Sequence, residues 1–335
     1  MLKIVSSTDL CIGQDLDSIE TYTSQYGRPI VYMSYTNLTT LSGVFSPIDY
    51  GSGIQYAQGL LDLQPGAELN LGLWLGGLDG LKSIVAGDLD SNIRRISEFA
   101  TSNLGSKIYL RIGYEFDNPQ FNYQTSPPSD LYIRAYQHIS SSLRDLPNII
   151  RVWHSYAQFP LNLDDYYPGD SHVDYIGVSL FQAPFHEDGK ESMRSVKEVI
   201  NYAEGKGKEI IIAESASFGG TDIKWFDTIL NLMEEREVGV WCYISTDWDA
   251  QRQWKGVGFG DTRVPDSWWR RNVVNSLKFA KYDVVKDDGG DDDFVRWGSM
   301  FFIGVVGIMS VAGLLCLSRR RRGSGGYVAI VDIEK

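Results

Sequence analysis

Eight short apolar runs alternate with helix-like stretches between Leu10 and Ala280, and that alternation limits the folds open to the chain. The runs are Leu10 to Gln14, Ile30 to Tyr35, Leu69 to Leu75, Lys107 to Gly113, Ile149 to Ser155, Val173 to Phe181, Glu209 to Glu214 and Val238 to Ser245. Several are apolar throughout rather than alternating, as strands are when a parallel sheet is covered on both faces. The stretches expected to be helical are Asp17 to Tyr26, Ile54 to Leu61, Asp90 to Leu104, Ser129 to Leu143, Lys190 to Gly205, Ile223 to Arg236 and a closing Trp268 to Ala280. This count and length predict an α/β fold of the (β/α)8 TIM-barrel kind over residues 1–282. A doubly wound open sheet would usually carry a glycine-rich phosphate turn after its first strand. The segment Ile12-Gly13-Gln14-Asp15 offers none.

In such a barrel the carboxyl ends of the strands supply the chemistry. Glu115 ends the fourth run and Glu214 ends the seventh. Strands four and seven lie across the ring from one another, so the two carboxyls are expected to face each other over the mouth. An opposed pair of carboxylic acids is the minimum equipment for cutting a glycosidic bond: one stays protonated to serve the leaving oxygen, the other stays ionised. Arg111 shares a strand face with Glu115 by alternation, where it could hold a carboxylate ionised or form a core ion pair. His154, at the end of the fifth run, could orient a carboxylate or touch substrate. Tyr114, Phe181, Trp248 and Trp254 complete the candidate sugar-binding set. Trp153 alternates away from His154 and is expected to pack in the core.

Composition agrees with a neutral polar ligand. The formal net charge is −12, which disfavours nucleic acid. The 9 Trp, 19 Tyr and 14 Phe supply rings on which sugars stack, though most rings in any protein build cores. The histidines and cysteines show no metal-ligand spacing, so neither metal nor other cofactor is expected. Cys11 and Cys242 fall in the first and last strands, which are neighbours in a closed ring. They are expected as buried free thiols, because a flat cross-strand bridge fits disulfide geometry poorly. Nothing calls for a dimer, and a monomer is expected.

After the barrel, an acidic linker over 283–297 leads to a 19-residue uncharged run, Ser299 to Leu317, followed by Arg319, Arg320, Arg321 and Arg322. That pattern predicts a single transmembrane helix over 298–318, in contact with membrane lipid, and a cytoplasmic tail over 319–335. The arginines place the barrel outside the cell or in a lumen. Met1 to Ile12 does not read as a leader, so the natural chain is expected to begin further upstream.

Three stretches resemble glycoside hydrolase family 26, whose best-known members are β-mannanases of the retaining clan A. They are Tyr166-Tyr167-Pro168-Gly169-Asp170-Ser171-His172-Val173-Asp174-Tyr175-Ile176-Gly177, the helix from Tyr132 to Ile139, and the Arg111 to Glu115 pattern. The resemblance covers Leu10 to Lys278. It implies Glu115 as acid/base, Glu214 as nucleophile, and a polysaccharide substrate. Mannan leads the choice, ahead of mixed-linkage β-glucan, other β-mannosides or xylan. Tyr114 stands where the family usually has His, Phe116 and Phe121 where a Trp is common, and Phe181 where Tyr often ends the sixth strand. The rival readings are a carbohydrate-binding surface receptor without catalysis and a structural wall-to-membrane linker.

Overall fold

The computed structural model describes residues 7–123, 129–158, 161–181, 190–217, 222–276 and 278–280. Eight parallel strands form a closed ring: β1 (Thr8–Gly13), β2 (Val31–Asn37), β3 (Glu68–Trp74), β4 (Ile108–Ile112), β5 (Ile149–Ser155), β6 (Tyr175–Phe181), β7 (Glu209–Ala216) and β8 (Val240–Ile244). Each pairs with its successor, and β8 pairs with β1 to close the ring. Helices α1 (Leu16–Tyr26), α2 (Ala57–Leu63), α3 (Gly77–Ala86), α4 (Asp90–Ser102), α5 (Asp130–Ser142), α6 (Lys190–Gly205), α7 (Ile223–Glu235) and α8 (Asp266–Trp269) join the strands. This is the (β/α)8 barrel that the alternation of runs predicts.

Strand alternation sorts the side chains into two apolar layers. Ile12, Tyr32, Leu71, Leu110, Trp153, Ile176, Ile212 and Trp241 face the helices. Cys11, Val31, Met33, Tyr109, Val152, Ile211, Ala213 and Cys242 fill the ring. Helix α4 shows why its sequence is helical: Ile93, Ile96, Phe99 and Ala100 recur at helical spacing and are its buried residues. Trp153 belongs to the outer layer, stacked on Phe116 with centroids 4.5 Å apart.

Several local expectations are corrected. Ile54–Gln55 is not helical; it pairs with Ile48–Asp49 as a small hairpin, and α2 starts afterwards. Helix α3 escaped the sequence reading because Gly76, Gly77 and Gly80 look like a turn. Gly80 is required there, since a Cβ would sit 1.7 Å from the Leu75 carbonyl oxygen. The closing helix ends early: α8 runs into a π-helical turn, Arg270–Val274, and Phe279–Ala280 becomes a short strand beside Thr8 and Asp9. Phe279 is thereby buried at 5.4 Å from the Trp241 ring.

Cys11 and Cys242 are the other correction. They lie directly opposite in the β1–β8 register, with Cα atoms 4.2 Å apart, and form a disulfide across the seam of the ring. The close approach of parallel neighbours brings the two Sγ atoms together despite the flat geometry. Among the described residues no helix is long and apolar enough to cross a membrane. The Ser299 to Leu317 run, the linker and the arginine tail lie outside the described residues.

Candidate active site

The β4 strand ends at Ile112, and the chain then turns sharply. Gly113 has φ +57° and Glu115 φ +50°, both left-handed. Glycine adopts that conformation freely; for a glutamate it stores a cost of order 1–3 kcal/mol, a type of strain that clusters at functional sites. The turn is held in place by the next strand. The Phe116 N–H donates to the His154 carbonyl at 3.2 Å. Asp117 accepts from Ser155 Oγ at 2.7 Å, from Ala157 N–H at 3.2 Å and from Tyr156 N–H. Glu115 is thus fixed between two strand ends.

Glu214 reaches the same place by a different device. Residues Ile211 and Ala213 face the ring interior, so simple alternation would turn Glu214 outward. The register slips there: Val178 pairs with Ile212, but Ser179 pairs with Glu214. Ala213 is the extra residue of a β-bulge, and a bulge re-aims the side chain that follows it. Glu214 turns inward and accepts a hydrogen bond from Arg111 Nη1. Arg111 is fully buried, with its guanidinium carbon 4.8 Å from the Tyr35 ring centre and 5.3 Å from that of Tyr114.

Among the described residues Glu115 has no cation of its own. Its Oε1 accepts from Ser179 Oγ at 2.6 Å and its Oε2 from Asn118 Nδ2 at 2.9 Å. Burial, then the negative charge of Glu214, push its pKa up to about 8. One carboxyl is therefore protonated at neutral pH while the other is paired with a buried guanidinium. An oxygen of Glu115, an oxygen of Glu214 and a ring nitrogen of His154 all lie within 4.8 Å of one another. Such a trio has the size of a cation site. Arg111 already supplies the positive charge there, and a dication would be repelled by it.

Two aromatic clusters stand at the carboxyl end of the ring. Tyr114 lies between Tyr35 and Phe121, at centroid distances of 5.5 and 5.0 Å. Trp248 meets Phe181, Trp254 and Phe259 at 6.1, 6.2 and 5.6 Å. Of these, Tyr114 and Trp254 are half-buried, whereas Phe181 and Trp248 are buried. Tyr156 also stands close to both carboxylates. Burial, followed by Glu115, raises its hydroxyl well above the usual range, so it stays neutral.

Comparison with known proteins points one way. The chain is 27% identical to a β-1,3-xylanase from Alcaligenes sp, over 84% of this chain and 68% of that protein. It is also 27% identical to the β-1,3-xylanase TXYA from Vibrio sp, over 87% of this chain and 66% of that one. It thus spans about two thirds of the length of these relatives. Among solved structures, a family 26 β-mannanase from Bacteroides ovatus superposes with a TM-score of 0.59 at 14% identity, covering 82% of this chain and 90% of that chain. The chain has the barrel fold of the family 26 glycoside hydrolases. No family model matches it.

At the carboxyl end of the ring the structure brings Arg111, Glu115, His154 and Glu214 together, with Tyr114 beside Arg111, while Phe181, Trp248 and Trp254 form an aromatic cluster at the same end. Arg111 and His154 are fully buried; Arg111 bonds Glu214, and His154 faces the Ser179 hydroxyl. Sequence reasoning missed Ser179, Asn118, Tyr35 and Tyr156. Ser179 could have been found, since it lies two residues before Phe181 on the same face of the strand. Nothing local marks Asn118 or Tyr35.

Proposed function

We propose that the chain is a retaining β-glycanase in which Glu115 is the acid/base and Glu214 the nucleophile. The observation that carries this reading is the unequal pair: two carboxyls with oxygens within 4.8 Å, one paired with Arg111 and the other without a cation among the described residues. Retention uses carboxyls about 5–5.5 Å apart, whereas inversion needs a wider gap for water. Glu115 protonates the glycosidic oxygen as Glu214 attacks the anomeric carbon. Arg111 holds Glu214 Oε1, so Oε2 is the attacking atom. Glu115, now a carboxylate, takes a proton from water, and that water releases the sugar.

For the substrate, β-1,3-xylan is tested first. The β-1,3-xylanases match in sequence over 84% and 87% of this chain, whereas the mannanases match in fold at 16% and 14% identity. That ranks β-1,3-xylan ahead of the mannan favoured by the sequence motifs. The aromatic walls of Tyr35, Tyr114 and Phe121 on one side and Trp248, Trp254 and Phe259 on the other suit a chain of sugar rings. Tyr114 and Trp254, both half-buried, are the members proposed to stack on them.

The barrel is further proposed to be tethered outside the cytosol by the Ser299 to Leu317 run, through the linker over 283–297, with the arginine tail inside. The Cys11–Cys242 disulfide favours an oxidising compartment. Retention of the chain in the membrane pellet after alkaline extraction tests the tether.

The activity test is incubation with β-1,3-xylan, galactomannan and mixed-linkage glucan, with the first product anomer read by proton NMR. Release of the β-anomer first is expected. The α-anomer first would overturn the retaining mechanism. Binding of a glycan without hydrolysis would favour a carbohydrate receptor.

A further inference from the structure

Behind Glu115 stands a pair of side chains that the two-carboxyl reaction does not itself require. Ser179, on β6, donates its hydroxyl to Glu115 Oε1 at 2.6 Å. The Ser179 hydroxyl oxygen in turn lies 3.0 Å from Nε2 of His154, on β5. All three side chains are buried, Ser179 and His154 completely. A serine hydroxyl has one proton, and here it is directed at the carboxylate. The ring nitrogen facing that oxygen must then be the donor, which puts the imidazole proton on Nε2. Nδ1 has no partner among the described residues. Burial, followed by the charge of Arg111, holds the imidazole well below its usual range, so it remains neutral. The hydrogen bonds therefore run in one direction, from His154 to Ser179 to Glu115.

We propose that Ser179 and His154 are positioning residues that fix the Glu115 carboxyl and set the pH at which it releases its proton. The proposal rests on the reading of Glu115 as acid/base. Ser179 occupies Oε1, which leaves Oε2, held among the described residues by Asn118, to carry the transferable proton. The other groups that act on Glu115 come from every side. Glu214 on β7 and Asp117 in its own loop favour the protonated form, and Asn118 favours the charged form. Arg111 on β4 is engaged with Glu214, and Tyr114 and Tyr156 are neutral. Against the burial and the two carboxylates, the Ser179 hydroxyl is the larger of the two hydrogen bonds that oppose protonation. His154 keeps that hydroxyl from rotating away.

The test pairs kinetics with a direct titration. The alkaline limb of kcat/KM is recorded for the full chain alongside the ¹³C carboxyl resonance of Glu115, assigned by its loss in Glu115→Gln. Ser179→Ala is expected to move both upward by about one pH unit. Ser179→Thr, which restores a hydroxyl, should bring both back. His154→Leu should give a smaller shift in the same direction, and His154→Gln, which keeps a donor, should stay near the parent. His154→Leu also supplies the answer should Ser179→Ala fail to fold. A Glu115 resonance that titrates unchanged in Ser179→Ala or His154→Leu overturns the proposal, whatever the kinetics do. A resonance that moves while the kinetic limb stays put supports the positioning role and overturns the acid/base reading instead.

Discussion

Ser179 stands opposite Glu214, not Ala213, across strands β6 and β7. The one-residue slip has two effects. It turns Glu214 into the ring toward Arg111. It leaves Ala213 in the interior layer. Ser179, turned inward by the alternation of β6, stands beneath Glu115, where its hydroxyl reaches Oε1. Two carboxyls on strands that do not touch are thus tied to one residue pair.

The acid role of Glu115 predicts an activity loss that depends on the leaving group. Glu115→Gln should slow hydrolysis of poor leaving groups by about 10²–10⁴-fold. Activated aryl glycosides, which leave without a proton, should react far more nearly as in the parent. Initial rates on both substrate types check this; equal, severe losses would argue against the role.

Arg111 is predicted to matter for stability as well as chemistry. Removing it by Arg111→Met leaves Glu214 buried without a counter-charge, which should destabilise the fold by about 3–5 kcal/mol. The double variant Arg111→Met/Glu214→Leu should recover most of that loss, since neither charge remains. Urea denaturation of the parent, the single variant and the double variant decides the matter. A double variant no more stable than the single one would show that the guanidinium's packing, not its charge, is what the fold needs.

Burial of Glu115 also predicts a pH dependence of stability. Its folded-state pKa of about 8 lies above the ordinary 4.5. Between those values the folded chain holds a proton that the unfolded chain has released, so stability falls as pH rises. Glu115→Gln has no such proton. The Tm of the parent minus that of Glu115→Gln should therefore decline between about pH 5 and about pH 8. A difference that stays level or grows over that range would contradict the assignment.

Trp254 is half-buried beside Trp248 and Phe259, and it is the ring proposed to stack on substrate from that side. Losing one stacking ring removes about 0.5–1.5 kcal/mol. Trp254→Ala should raise KM for polysaccharide by roughly two- to ten-fold and leave a small aryl glycoside unaffected. Unchanged KM for the polymer would take Trp254 out of the binding surface.

The disposition of the strands was legible because it depends on local apolar runs. Ile149 to Ser155 is bounded in the structure as the sequence reading has it. Elements that depend on distant contacts were not. Helix α3 runs through a glycine-rich stretch because Gly80 must pass close to the Leu75 carbonyl. Phe279 leaves the expected last helix because pairing with β1 and contact with Trp241 stabilise it more. The Cys11–Cys242 bond follows from a register that neither strand encodes alone.

By itself the sequence determined the ring of eight strands and the two strand ends that carry acids, since burial of apolar runs and their order along the chain suffice for both. Only the tertiary structure decided which carboxyl gains a cation and which keeps its proton. Those states depend on a bulge at Ala213, a buried guanidinium from β4 and a serine from β6, and electrostatic energy is set by distance and burial in space, not by position along the chain.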